Sequence, residues 1–250
     1  MTMLIKQVFP ESMETPSAYC KYFFRCEQAS GDMENKASGG ALATKNAGFL
    51  DATLWAAAGY ATVGGGASNY CSLPAADAAL DHINNTIVIT ARVLKAAAAL
   101  SASEDYVVSG YTPGSTTGGI ILAARPDGAA RLYINSTDNT TVNLTTAASS
   151  LTDGSTATER SLVFIIPRQS ASGSVGMDAI ERATAPMATI AGKSISGGNA
   201  LKFGGITNAY RIAAFGAYQI PVDSSALNAQ QIYDWAYRNP GVPMPDWVFA

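Results

Sequence analysis

Charged residues are scarce. They make up 14% of the 250 residues, against roughly 25% in an average soluble domain. Sixteen Lys and Arg face nineteen Asp and Glu for a formal net charge of −3, with no Lys/Arg run anywhere. That leaves no electrostatic footprint for a phosphate backbone or an anionic membrane, so nucleic acid is not expected as a partner. Histidine occurs once, at His82, which excludes multi-histidine metal centres and leaves a single imidazole as a base for nucleophilic catalysis. The cysteines, Cys20, Cys26 and Cys71, are odd in number and lack the paired spacing of zinc or redox sites. They read as free, buried thiols. Cys20 and Cys26 share strand parity and would face one core, roughly 20 Å apart along a straight strand. Met1 to Ala18 lacks the basic start, apolar stretch and cleavage site of a secretory signal, so export by that route is not expected. The longest uncharged run, Ala52 to Ala76, carries Gly64-Gly65-Gly66, Ser68, Asn69 and Pro74. It reads as loop and strand, and no membrane insertion is expected.

What is present is 48% apolar residues, enough for one large core, with Ser, Thr, Asn and Gly supplying turns and exposed strand faces. Thr86 to Val93 alternates, with Ile87, Ile89, Ala91 and Val93 on one face and Val88, Thr90 and Arg92 on the other, as in a half-buried strand. Gly119 to Arg125 and Ala129 to Asn135 flank Pro126-Asp127-Gly128, the signature of a hairpin. In its second arm Ala130, Leu132 and Ile134 should point inward and Arg131, Tyr133 and Asn135 to solvent. Further strands are expected at Asp105 to Ser109, Thr140 to Thr145, Arg160 to Pro167 and Tyr210 to Ile220. One segment has helical spacing: Asp223, Ser224 or Ser225 could cap a run carrying Ala229, Ile232, Trp235 and Ala236, which Asn239-Pro240-Gly241 stops. Ala96 to Ala99 fits a short helical turn or a loop equally. Both ends read as extended arms, residues 1–18 and 241–250, around a body of residues 19–240. Trp247 and Phe249 in the second arm need burial on the chain's own body or on a neighbouring copy, and a homo-oligomer joined through an arm is expected.

Four segments together resemble the concanavalin A-like lectin/glucanase superfamily, in particular its laminin-G-like and pentraxin-type modules found in bacteriophage structural proteins. The first is Tyr22-Phe23-Phe24 with Gly31-Asp32 and Ser38-Gly39-Gly40, similar to the family's opening strand and its Asp-plus-glycine loop. The second is Asn69 to Pro74 leading to Thr86 to Val93, similar to an edge strand ending in Leu-Pro and a central strand. The third is the hairpin Gly119 to Asn135. The fourth is Ala200 to Gly205, Tyr210 to Ile220 and Ser224 to Arg238, similar to the family's closing strand, long strand and helix. The resemblance implies an all-β fold, a concanavalin-like jelly-roll β-sandwich of two antiparallel sheets with one short helix near the C-terminus. It implies a virion structural protein of a bacteriophage, in a tail tip, fibre, spike or head decoration, assembled in the bacterial host cytoplasm. Other virion proteins and host surface polysaccharide would be its partners. The alternative is a carbohydrate-binding or carbohydrate-cleaving module of a bacterial or phage surface protein. Calcium enters only through the resemblance, at Asp32 and Asn35, and no other cofactor is expected.

No catalytic residue and no metal ligand set is assigned. Asp32 and Glu34 share a face but sit in a glycine-flanked loop, and Glu104 and Asp105 are adjacent and so face opposite ways, whereas glycoside hydrolysis needs two carboxylates converging on one cleft. The chain therefore reads as a non-enzyme. His82 is expected at the surface or as a cap. Asn84, Asn135, Asn139 and Asn143 match the glycosylation pattern by chance in a Thr-rich chain. Trp55, Tyr60, Tyr70 and Tyr111 are the aromatics on or near loops that could form a sugar platform, though packing explains each of them singly, and no glycan-binding residue is assigned.

Overall fold

The run Leu162-Val163-Phe164-Ile165-Ile166 is apolar at every position, which suits a strand whose two faces are both covered. The computed structural model describes residues 16–26, 30–46, 61–63, 70–95, 104–111, 117–148, 151, 158–169, 172–196, 198–204 and 210–250. In it this run lies inside a seven-stranded sheet ordered β1 (Cys20–Arg25), β14 (Tyr210–Ile220), β5 (Thr86–Lys95), β10 (Thr158–Ile166), β11 (Ser172–Met177), β12 (Ile180–Pro186), with β3 (Ala61–Val63) also on β14. A second seven-stranded sheet runs β2 (Thr44–Lys45), β4 (Tyr70–Leu73), β13 (Leu201–Gly204), β6 (Asp105–Ser109), β7 (Gly119–Ala124), β8 (Ala130–Asn135), β9 (Thr141–Thr145). All pairings are antiparallel. The protein is an all-β sandwich, and among the described residues its one helix longer than a single turn is Ala229–Arg238.

The core between the sheets is built from one parity of each strand: Ile87, Ile89, Ala91 and Val93 of β5, Leu162, Phe164 and Ile166 of β10, and Ala130, Leu132 and Ile134 of β8. Aromatic rings fill its centre, with Phe24 and Phe203 at 4.9 Å and Phe203 and Phe215 at 5.6 Å between centroids. The expected hairpin is present, with Gly128 at φ 79° and Gly119 opposite Asn135. Asn135, expected in solvent, is buried, because its Nδ2 donates to Thr117 O at 2.9 Å and its Oδ1 accepts from Thr141 Oγ1 at 2.7 Å. The strand ending in Leu73-Pro74 is not an edge, since the short β2 pairs alongside it.

The other face of the first sheet is also covered. Phe23, Val88, Val163, Ile165, Ala214, Tyr218 and Ile220 project from it against Ile232, Tyr233 and Trp235 of the helix and Met244, Val248 and Phe249 of the closing arm. β5 is thus buried on both faces at Val88 and Thr90, not half-buried as its alternation suggests. Tyr233 comes close because the sheet beneath it is bare: a Cβ at Gly176 would stand 2.4 Å from its ring. The closing arm packs on the chain's own sandwich, with Val248 fully buried and Phe249 between Tyr19, which it meets edge-on, and the tilted ring of Tyr218. Val248 and Phe249 are thus buried within one chain, while Trp247 of the same arm remains 54% exposed. Asp246 accepts from Ser17 Oγ and from Ala18 N, so both ends of the described chain are tied at one place.

Three local readings change. A register shift between Cys20 and Tyr22 reverses the parity of β1. Cys26 therefore faces the inter-sheet core while Cys20 packs under the arm, where burial pushes its thiol up to about 12. The helix begins at Asn228, whose Oδ1 accepts from Gln231 N at 3.2 Å, while Asp223 caps the separate 3-10 turn Ser224–Ala226. The hairpin of β11 and β12 was not anticipated. It turns through Asp178 and Ala179 at φ 52° and 66°, a left-handed pair that usually calls for Asn or Gly. Asp178 holds it, with its carboxylate accepting from Ser161 N at 3.0 Å and from Arg160 Nη1 at 2.8 Å. Trp55, Tyr60, Ala96 to Ala99 and residues 1–15 lie outside the described residues.

Two one-atom changes on this hairpin should act with opposite sign. Gly176→Ala should lower unfolding stability by about 1–3 kcal/mol through overpacking against Tyr233. Ala179→Gly should raise it by about 1 kcal/mol by relieving the left-handed conformation. Urea denaturation of the two variants beside the parent checks both signs.

Candidate functional site

The helix Ala229–Arg238 is two-sided. Ile232, Tyr233 and Trp235 face the sheet, and the spacing of Gln230, Asp234 and Arg238 sets them in a row one turn apart. With Asn228, Gln231, Asn239 and Trp247 they line a cleft of about 410 Å³ between the helix and the closing arm, within the range of small-ligand sites. Trp247 stands beside it, 54% exposed, with its ring perpendicular to that of Trp235 at 5.1 Å between centroids. Gln231 Nε2 donates to Trp247 O at 3.1 Å and pins the arm there. Gln230 Nε2 donates both to Ala179 O at 2.7 Å and to Asp234 Oδ1 at 2.9 Å, so the strained turn of the β11–β12 hairpin positions the cleft's carboxylate.

Chemically the cleft offers an indole with about half its surface open, and polar groups with hydrogen-bonding capacity to spare. Gln230 and Gln231 use only their amide nitrogens and Asn228 only its oxygen, while Asp234 accepts at one oxygen. Arg238 has no ion-pair partner among the described residues. Apolar ring faces can stack on the indole while hydroxyl groups exchange hydrogen bonds with amides and carboxylate.

The aromatics and acids singled out from the sequence are placed elsewhere. Tyr111 is buried at 8% exposure on the outer face of the second sheet, in a small cluster with Ile121 and Ala123 flanked by Tyr106 and Tyr133, and burial pushes its phenol up to about 12. Glu104 serves that cluster as an ion-pair hub, accepting from Arg131 Nη1 at 2.9 Å and from the Tyr133 hydroxyl. Tyr70 lies under the Lys202 ammonium, 4.8 Å from its ring centroid. Glu34 pairs with Lys36 at the surface, which lowers its carboxyl, while Asp32 Oδ1 accepts from Lys45 N at 2.8 Å. The two do not converge on a cleft. His82 is neither exposed nor a cap: it is fully buried, with Nε2 2.7 Å from Pro167 O and Nδ1 3.2 Å from Lys193 O, and it ties two loops together. The cleft itself went unread, although the outward row of Gln230, Asp234 and Arg238 and an unspent Trp247 were there to find it.

Calcium does not fit Asp32 and Asn35. Asn35 Oδ1 already accepts from Phe23 N at 2.9 Å and from Ala37 N at 3.1 Å, and a Cβ at Gly40 would strike its amide at 2.3 Å, so this side chain is a packed strut of the loop. Among the described residues no cluster of three His, Cys, Asp or Glu gathers there or elsewhere.

The ligand-binding domain of botulinum neurotoxin serotype D, in complex with N-acetylneuraminic acid, is 10% identical with a TM-score of 0.64, over 92% of this chain and 53% of that one. The binding domain of Paraclostridial Mosquitocidal Protein 1 is 10% identical with a TM-score of 0.59, over 90% and 52%. The botulinum neurotoxin type G receptor-binding domain is 7% identical with a TM-score of 0.60, over 88% and 51%. In fold, the chain is similar to these toxin binding domains. It spans about half the length of the structures it matches, and at such identities the likeness is one of fold alone. No family model and no curated protein matches the sequence.

If the loop is held by its own hydrogen bonds, millimolar calcium or excess EDTA should leave the thermal midpoint unchanged. Asn35→Ala should destabilise by about 1–3 kcal/mol in either buffer, because it strips two backbone N–H groups of their acceptor. A calcium-dependent midpoint in the parent that is lost in Asn35→Ala would contradict this.

Proposed function

We propose that the chain is a non-catalytic, glycan-binding surface module of the concanavalin-like type, and that it holds sugar in the cleft between the helix Ala229–Arg238 and the closing arm. The observation that carries this reading is the half-exposed Trp247 indole set beside amide and carboxylate groups with unused hydrogen-bonding capacity. A platform of that kind matches the apolar face and the hydroxyl rim of a pyranose. Supporting it, one protein of similar fold was solved with N-acetylneuraminic acid, and several others are described as receptor-binding domains. Among the described residues Asp234 is the single carboxylate lining the cleft, one short of the pair that glycoside hydrolysis uses, so binding without turnover is the activity proposed.

A homo-oligomer joined through a terminal arm is proposed from the apolar residues of the closing arm, and a place on a bacteriophage particle among other virion proteins is a separate proposal resting on the resemblance of the four sequence segments. Mass spectrometry of purified particles decides it.

On a glycan array the parent protein should retain a defined subset of oligosaccharides, and Trp247→Ala should weaken them tenfold or more while keeping the parent's circular dichroism and thermal transition. An array with no retained glycan, or retention unchanged in Trp247→Ala, would rule out the cleft as the site.

A further inference from the structure

We infer that the cleft selects sugars that carry a carboxylate, such as uronic acids, with Arg238 as the anion-binding group. This rests on the glycan reading above and narrows it. Among the arginines of the described strands and turns, Arg92 pairs with Glu159, Arg125 with Glu104 and Asp127, Arg131 with Glu104, and Arg160 with Asp178. Arg238, like Arg168 and Arg182, forms no ion pair among the described residues, and in its case a carboxylate, Asp234, stands one helical turn away and the side chain lines the cleft. Gln230, anchored at Ala179 O, holds Asp234 Oδ1 at 2.9 Å, and no salt bridge to Arg238 forms. Among the described residues the guanidinium is the one cation lining the cleft.

A cation in the last turn of a helix is favoured by the helix dipole, which accounts for a positive charge at this position. That role would be met equally by lysine. A guanidinium adds a planar fork of N–H donors whose geometry matches a carboxylate in a bidentate pair. Among the described residues Asp234 is the one opposing charge lining the cleft, and with Oδ1 already held its remaining oxygen is left for a sugar hydroxyl. The arrangement then assigns the ring face to Trp247, hydroxyls to Asp234 and the amides of Asn228, Gln230 and Gln231, and the carboxylate to Arg238.

The test is an array and calorimetric titration in which each acidic oligosaccharide is presented beside its carboxyl-reduced form, so that ring and linkage are matched and the charge alone differs. The parent should prefer the acidic form tenfold or more, and the preference should shrink as salt is raised. Arg238→Gln should bring the ratio near unity while retaining the weaker binding of the reduced form, Arg238→Lys should fall between, and Trp247→Ala should lose both forms. Equal binding of the two forms by the parent, or a preference that survives Arg238→Gln, overturns the inference and leaves the glycan reading standing. Binding of neither form overturns both.

Discussion

The outer face of the first sheet carries a stripe of Phe23, Val88, Val163, Ile165, Tyr218 and Ile220, and the arrangement of the C-terminal region follows from the need to keep that stripe out of water. Each large side chain buried there contributes roughly 1.5–3 kcal/mol. A ten-residue helix presents Ile232, Tyr233 and Trp235 to one part of the face, and the arm wraps the remainder with Met244, Val248 and Phe249. The sheet accommodates the layer by being bare where rings approach: Gly176 under Tyr233 and Gly216 under Phe23 leave space a Cβ would fill. The hydroxyl groups are satisfied as well, with Tyr218 accepting from Met244 N at 2.9 Å and Tyr233 bonded to Ser174 Oγ at 2.6 Å.

The cleft is a consequence of where that layer ends. The arm turns back along the helix in the 3-10 segment Asp246–Phe249, which sends Val248 and Phe249 inward and leaves Trp247 on the opposite side, against the edge of Trp235. One indole is thereby held rigidly with about half its surface in solvent, next to the polar row of the helix. Rigidity matters for recognition, since a side chain fixed before binding loses little conformational freedom when a ligand arrives. Structure and proposed function meet in this one residue, which the 3-10 turn leaves on the outer side of the arm.

Much of the sandwich could be read from the chain. β14 appears with the bounds expected, β5 and β8 present the expected parity to the core, a strand lies where Arg160 to Pro167 was read, and the order of closing strand, long strand and helix holds. What escaped has local causes. Ser172–Met177 is rich in glycine and serine and reads as loop, because Gly176 is demanded by Tyr233, nearly sixty positions along the chain, and Gly173 by Ile165 O and Met187. The turn Asp178-Ala179 carries no glycine to mark it. The one-residue irregularity after Cys20 inverts a side-chain pattern that strict alternation would extend. His82 looks like a surface residue because its partners, Pro167 and Lys193, come from distant loops. The cleft depended on two elements meeting in space, a helix face and an arm whose tryptophan had been counted only as something to bury.

The central claim is that the closing arm is an integral layer of this chain's own fold, and removing it measures that claim most directly. In urea denaturation at low protein concentration, a chain ending at Pro240 should unfold with a stability lower by about 4 kcal/mol or more, from the lost burial of Met244, Val248 and Phe249, and should bind an apolar dye at the uncovered sheet face. A truncated chain with the parent's midpoint and no dye binding would show that the arm does not cover that face, and the cleft built upon it would fall with the claim.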